Sequence, residues 1–244
     1  MATYLVLINY INTNKIKDTY GMQMKRIYIV LITTIILTPS GIYSQAYATF
    51  DTAMFTAYGI YHAMELNNST VREKAYALSA SNTNDYTGQV CTIFDYMYYN
   101  WNYVNDPGGM EYFADATETL ETMTGDCDDY AIAMVSMLSN LGGDGRVICV
   151  SGHAYPEMYL GKDLDESTLI DLKQQINSHY EKLYGRKNKV RNMHYRRDYD
   201  GTYWLNLDWQ SDHPGGRWVD DSSDAQFLVI YTNGTWRQGY LNNE

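Results

Sequence analysis

Between Phe50 and Ala80 apolar residues recur loosely at helical spacing, and the polar triplet Asn67-Asn68-Ser69 interrupts them, which predicts two helices. From Val90 onward, Val90, Ile93, Phe94, Met97, Tyr98 and Trp101 fall on one face of an amphipathic helix. Asp106-Pro107-Gly108-Gly109 predicts the turn that ends it. Asp115 is placed to cap a short helix carrying Ala116, Leu120 and Met123. The segment Thr124-Gly125-Asp126-Cys127-Asp128-Asp129 then introduces a helix whose stripe is Ala131, Met134, Val135 and Leu138, closed by Gly142 and Gly143. With Asp126 as N-cap, Cys127 falls in the first turn.

The period changes after Gly143. Arg146 to Ser151 reads as a buried strand and Ala154 to Leu160 as a second, with His153 at their junction. A helix capped by Asp165 comes next, with Leu169, Leu172, Ile176 and Leu183 on one face. Strand character returns at Tyr203 to Trp209 and at Gln226 to Thr232. Helices first and strands later, with one helical insertion, predicts an α+β fold rather than a parallel α/β sheet.

The longest apolar run, Ile27 to Leu37, follows Lys25 and Arg26 and precedes Pro39-Ser40-Gly41. At about eleven residues it is too short to span a bilayer comfortably and reads as the core of a signal peptide. Small residues at Ser44, Ala46 and Ala48 suit cleavage after either alanine, and Met24 is an alternative start that would make 1–23 a spurious extension. The expected organisation is a signal peptide at 1–46, a helical extension at 47–87, and a domain at 88–244 with a helical and basic insertion at 161–200. The expected location is secreted, periplasmic or cell-surface, with a single N-terminal membrane anchor as the alternative.

The chain of 244 residues carries a net charge of -11, which becomes -14 once residues 1–46 are removed. That sign disfavours general nucleic-acid binding. The exception is local: Lys182, Arg186, Lys187, Lys189, Arg191, Arg196 and Arg197 succeed one another with no carboxylate between them. They read as a solvated loop and helix end, or as a contact for an acidic partner in the cell envelope. The 25 tyrosines are expected mostly at half-buried positions.

Three cysteines in an exported chain leave one unpaired unless two chains are bridged. Cys91 and Cys149 lie in helix and strand patterns, as buried thiols or a disulfide. Cys127 differs, because backbone N–H groups at a helix start favour a thiolate and can stabilise an oxyanion. Asp126, Asp128 and Asp129 oppose this, so a nearby cation is needed. His153 is the candidate, pairing with the thiolate and then protonating a leaving amine. A carboxylate should orient the imidazole: Asp208 first, with Asp220 and Asp221 as fallback. The acidic cluster reads as helix capping rather than a cation site, and the remaining histidines show no metal spacing. His213-Pro214-Gly215-Gly216 reads as a loop bordering the cleft.

Three blocks of sequence are similar to the transglutaminase-like superfamily: Phe94 through Asp106 and on to Gly125-Asp126-Cys127; Gly145-Arg146-Val147 to His153-Ala154-Tyr155-Pro156-Glu157; and the Asp208 strand. The resemblance implies a papain-like core, with Cys127 as nucleophile on a helix packed on an antiparallel sheet and His153 and Asp208 on neighbouring strands. It also implies a thioester intermediate formed from an amide of a protein or peptide substrate. Water resolving it makes a peptidase or amidase, and an amine makes an acyltransferase. No cofactor is required, and Gln89 and Trp101 are candidate oxyanion donors. Two departures stand out: 54 residues separate His153 from Asp208, and Tyr155 replaces a common tryptophan. The alternative is a non-catalytic surface binding module on the same scaffold.

Overall fold

The computed structural model describes residues 42–83, 85–106, 108, 111–218 and 226–240. The run Ile27 to Leu37 and the fallback pair Asp220 and Asp221 lie outside the described residues. By contacts the chain divides into two compact units, Met1–Thr49 and Phe50–Glu244, and Cys127, His153 and Asp208 all belong to the second.

Helix α1 (Ile42–Ala63) and α2 (Ser69–Ser79) are separated where the polar triplet predicts. Asn68 caps α2 through its side-chain oxygen, which accepts from the N–H groups of Thr70 and Val71. Helix α3 (Tyr86–Asn100), α4 (Ala116–Thr122) and α5 (Cys127–Asn140) come after them. Asp115 occupies the N-cap position of α4 but makes no side-chain capping bond. Glu65, in the turn between α1 and α2, takes that role: its carboxylate accepts from Thr117 N–H at 2.8 Å and from Thr117 Oγ1 at 2.6 Å. Ala57, Ile60, Val71 and Ala75 share one continuous core with Phe94, Met97, Met134 and Leu138.

Two short strands, β1 (Asn102–Tyr103) and β2 (Thr124–Gly125), pair in parallel, Tyr103 opposite Gly125. The main sheet contains β3 (Gly145–Val150), β4 (His153–Lys162), β5 (Tyr195–Arg197), β6 (Thr202–Asn206), β7 (Gln226–Tyr231) and β8 (Trp236–Tyr240). Its order is β5-β6-β4-β3-β7-β8, and every pair is antiparallel. Helix α6 (Glu166–Tyr184) is inserted between β4 and β5. The fold is α+β, with α5 packed on an antiparallel sheet.

Strand alternation sends successive residues to opposite faces. Val147, Ala154 and Met158 join the helix-side core, while Ile148 and Tyr155 join a second cluster with Phe227 and Val229. Each such aliphatic side chain, fully buried, stabilises the fold by about 1.5–3 kcal/mol. Arg146 belongs with Ile148 by register and is completely buried. Its guanidinium meets Glu157 Oε2 at 2.6 Å and Asp198 Oδ2 at 2.6 Å, and lies 4.1 Å above the Trp204 ring.

The basic stretch is largely engaged within the chain. Lys187 pairs with Glu181 at 3.5 Å, Lys189 with Asp212, and Arg196 with Glu157 at 3.4 Å and with the Tyr155 hydroxyl at 2.9 Å. On α6 the apolar face also differs from the expected one. Leu169 and Ile176 are buried, but Leu183 is exposed and Tyr180 is buried in its place. The reason is polar: the hydroxyls of Tyr180 and Tyr184 both donate to the buried Asp95 carboxylate of α3, at 2.8 and 3.0 Å.

Candidate active site

Gly125 precedes α5 because nothing larger fits. A Cβ there would lie 2.4 Å from Asp129 Oδ2 and 2.6 Å from Asp129 Cβ. Asp129 folds back over the glycine, its Oδ2 accepting from Asp126 N–H at 3.2 Å and its Oδ1 from Ala114 N–H at 2.8 Å. Asp126 accepts from Asp128 N–H at 3.3 Å, completing a reciprocal cap. Cys127 therefore stands at the first position of α5, half-buried.

His153 is the first residue of β4, set opposite Val150 across a tight turn in which Gly152 has φ 74°. Its Nε2 lies 2.8 Å from Asp208 Oδ2. Asp208 was expected within a strand. Instead β6 ends at Asn206, and one more ladder bond, Leu207 N–H to Pro156 O at 3.0 Å, carries the chain past it. There Asn206 Oδ1 accepts from Asp208 N–H at 3.1 Å and turns the backbone, while Asn206 Nδ2 donates to Gly216 O at 2.8 Å. Asp208 is thereby wholly buried, its second oxygen accepting from Gln210 N–H at 3.1 Å. The loop His213 to Gly216 holds Asn206 in place, and the cleft itself is lined by Tyr103, Gly152, His153, Trp209 and Gln210, around about 250 Å³.

The thiol of Cys127 is pushed up to about 12. Burial is the largest cause; the backbone N–H of Ala154 pulls the other way, and Asp126 and Asp128 push it further up. That contact puts the sulfur beside the residue that follows His153. Among the described residues no hydrogen bond joins the thiol to the imidazole, and burial favours the neutral thiol where the sequence leads one to expect an ion pair. With Nε2 on Asp208, Nδ1 is the nitrogen left to face the sulfur.

Cys91 and Cys149 are free thiols. Gln89 lies at the far end of α3 from Trp101, about 18 Å along the axis at 1.5 Å per residue. Trp101 caps the near end, its ring 5.4 Å from that of Tyr130 one turn into α5, and its indole N–H is buried without a hydrogen-bond partner. The Tyr130 hydroxyl is likewise buried and unpartnered; its phenol is raised by burial first and by the Asp208 charge second. Tyr130 carries no sequence signal beyond one more residue in a helical stripe.

The residues that could hold a cation are Asp126, Asp128 and Asp129, whose oxygens lie within 4.8 Å of one another. Capping already accounts for two of them. Asp128 differs, being buried with Oδ1 unpartnered, and its carboxyl is raised by burial and by its bond with Asp126. Asp129 is raised to about 6 by burial, against the two N–H bonds it accepts.

Both groups hold protons in the folded chain that the unfolded chain releases near pH 3.9. Their contribution is thus complete below that pH and falls as pH rises through the folded values. Asp128→Asn should therefore raise stability at pH 7 by about 1–2 kcal/mol and change little at pH 3.5, measured by urea unfolding at both. An equal effect at the two pH values would reject this electrostatic origin.

The profile of the transglutaminase-like superfamily matches residues 72–209. No curated protein matches the chain. Among solved structures, a candidate cysteine protease from Cytophaga hutchinsonii aligns at 18% identity with a TM-score of 0.36, covering 72% of this chain and 52% of that one. The chain thus spans about half the length of that protein. The profile match takes in more than half of the 244 residues, from α2 through the Cys127 helix and the His153 strand to the turn that presents Asp208, and by it the chain belongs to the transglutaminase-like superfamily.

Proposed function

We propose that the chain is an exported cysteine-dependent acyl-transfer enzyme acting on amide bonds. The observation that carries this reading is the buried Asp208 carboxylate on His153 Nε2 at 2.8 Å, which holds the ring and leaves Nδ1 as the nitrogen free to act as base. His153 Nδ1 takes the thiol proton as sulfur attacks the amide carbonyl, and the tetrahedral intermediate collapses to a thioester as the imidazolium gives that proton to the leaving amine. Water then resolves the thioester, with His153 again as base, to give a carboxylate and the free thiol. Hydrolysis is favoured over transfer because it asks for no second substrate site. The backbone N–H of Cys127, at the start of α5, is the donor this reading assigns to the developing oxyanion, with the unpartnered Trp101 indole N–H as the second candidate.

A thiol held at about 12 has a resting thiolate fraction of about 10⁻⁴ at pH 8. Iodoacetamide should accordingly label Cys127 slowly at neutral pH, with a rate still climbing at pH 10. Peptide amides should nonetheless acylate it when incubated with the purified chain. Mass spectrometry after rapid acid quench should find an adduct on Cys127 that hydroxylamine removes and that Cys127→Ala lacks. A folded chain that forms no adduct and cleaves nothing across a broad peptide panel would leave the binding-module reading. A fluorescent alkylamine that ends in product would move the assignment from hydrolase to transferase.

A further inference from the structure

The cleft beside His153 has two aromatic walls. Tyr103 and Trp209 stack with ring centroids 5.5 Å apart and planes 29° from parallel, one supplied by β1 and the other by the residue after Asp208. The pairing of Tyr103 with Gly125 sets this wall one residue from Asp126 and two from Cys127. Asp106 lies three residues beyond Tyr103, tied to the same loop by accepting from Tyr112 N–H at 2.7 Å. The Asp126 and Asp106 carboxylates both act on the Tyr103 phenol. Among the described residues none of these carboxylates forms an ion pair, and no lysine or arginine lines the cleft.

Resting on the functional reading above, we infer that this cleft is a specificity subsite for a basic side chain of the peptide whose amide is attacked, held against the Tyr103 and Trp209 rings and attracted by Asp106 and Asp126. Aromatic faces backed by uncompensated carboxylates favour an ammonium or guanidinium over a neutral group of the same shape. The cation held there is a recognition element and not the nucleophile, because the same field keeps an amine protonated and a protonated amine has no lone pair with which to attack a thioester. His153 forms part of the lining, so the subsite lies within one side chain's reach of the scissile carbonyl.

The test uses Cys127→Ser, which separates binding from turnover. Nα-acetyl-lysine methylamide and its uncharged counterpart Nα-acetyl-norleucine methylamide are titrated while the tryptophan indole N–H signals are followed by NMR. The lysine probe should bind roughly tenfold more tightly. Tyr103→Leu and Asp106→Asn, both at accessible positions, should each reduce that ratio to about threefold or less. Equal binding of the two probes, or a preference untouched by both substitutions, overturns the inference. So does n-butylamine binding as tightly as the lysine probe, since a free amine would then be the natural occupant. A lysine preference in a chain that cleaves no peptide leaves the subsite standing and removes the hydrolase.

Discussion

Asp208→Asn is expected to lower kcat on an amide substrate by roughly 10³- to 10⁴-fold while the fold survives. The carboxylate sits at the bottom of the site, fully buried, with one oxygen on His153 Nε2 and the other on the N–H of Gln210. An asparagine fills the same volume and its oxygen can keep one of those bonds. What it cannot keep is the charge that stabilises the imidazolium formed when His153 takes the thiol proton. It can also present N–H toward Nε2, which reverses the tautomer and places a proton on the nitrogen that must accept one. Steady-state kinetics with circular dichroism would check this. A thermal midpoint within a few degrees of wild type, a collapsed kcat and a nearly unchanged KM are the expected signature. His153→Ala should fall as far, and combining it with Cys127→Ala should add almost nothing, because the members act as one unit. A loss under tenfold for Asp208→Asn would mean the carboxylate is structural, and the Tyr130 phenol beside it would then be the next group to examine.

Arg146→Met should have the largest effect on stability of any single change in the sheet, a loss of about 3–5 kcal/mol. The guanidinium is bidentate to Asp198, with Nη1 at 2.6 Å and Nη2 at 3.2 Å, and it also donates from Nε to Glu157 at 2.8 Å. Strands β3, β4 and β6 and the turn after β5 thus meet at one side chain. Deleting it strands two buried carboxylates, and burial of an unpaired charge costs more than the pair ever contributed. Arg196 and Arg237, which touch Glu157 and Asp198 at 3.4 and 3.0 Å, limit the damage without replacing the central charge. A melting scan should show a drop of roughly 10 °C for a unit of this size. Arg146→Met combined with Glu157→Leu should recover part of it. A shift under about 3 °C for the single variant would show that the flanking arginines suffice.

Glu157 shows that a residue which carries the family resemblance need not serve the cleft. Its spacing from His153 helps to carry the family resemblance, yet the side chain serves the buried arginine and never reaches the cleft. The helical part of the chain was legible because its signals are local. Asp126 and Asp165 cap the helices they were expected to cap, and the α5 stripe faces the core. Asp115 and Leu183 were misjudged for a shared reason. A partner distant in sequence, Glu65 in one case and Asp95 in the other, supplies a bond that no local pattern announces. Strands β5 and β8 went unseen because they are short and carry polar residues at sheet edges, and the two-residue ladder of β1 and β2 lies below any periodicity. Cys127, His153 and Asp208 were nameable from sequence. The depth of Asp208, the neutral thiol and the aromatic pair were not, since each depends on what folds over it.

The separation of His153 from Asp208 is written in the ladder and not in the chain. Glu157 faces Asn206 across β4 and β6, and counting on from that pair sets Asp208 level with Tyr155, two residues from the histidine, however many residues lie between. The excursion that holds α6 departs after Lys162 and is closed by the antiparallel pairing of β5 with β6, so its length is mechanically invisible to the imidazole. For an evolving lineage this is a place of freedom: segments can be added, traded or trimmed there while His153 and Asp208 keep their alignment. Any search that recognises such proteins by the interval between their histidine and aspartate will overlook members whose excursions have grown.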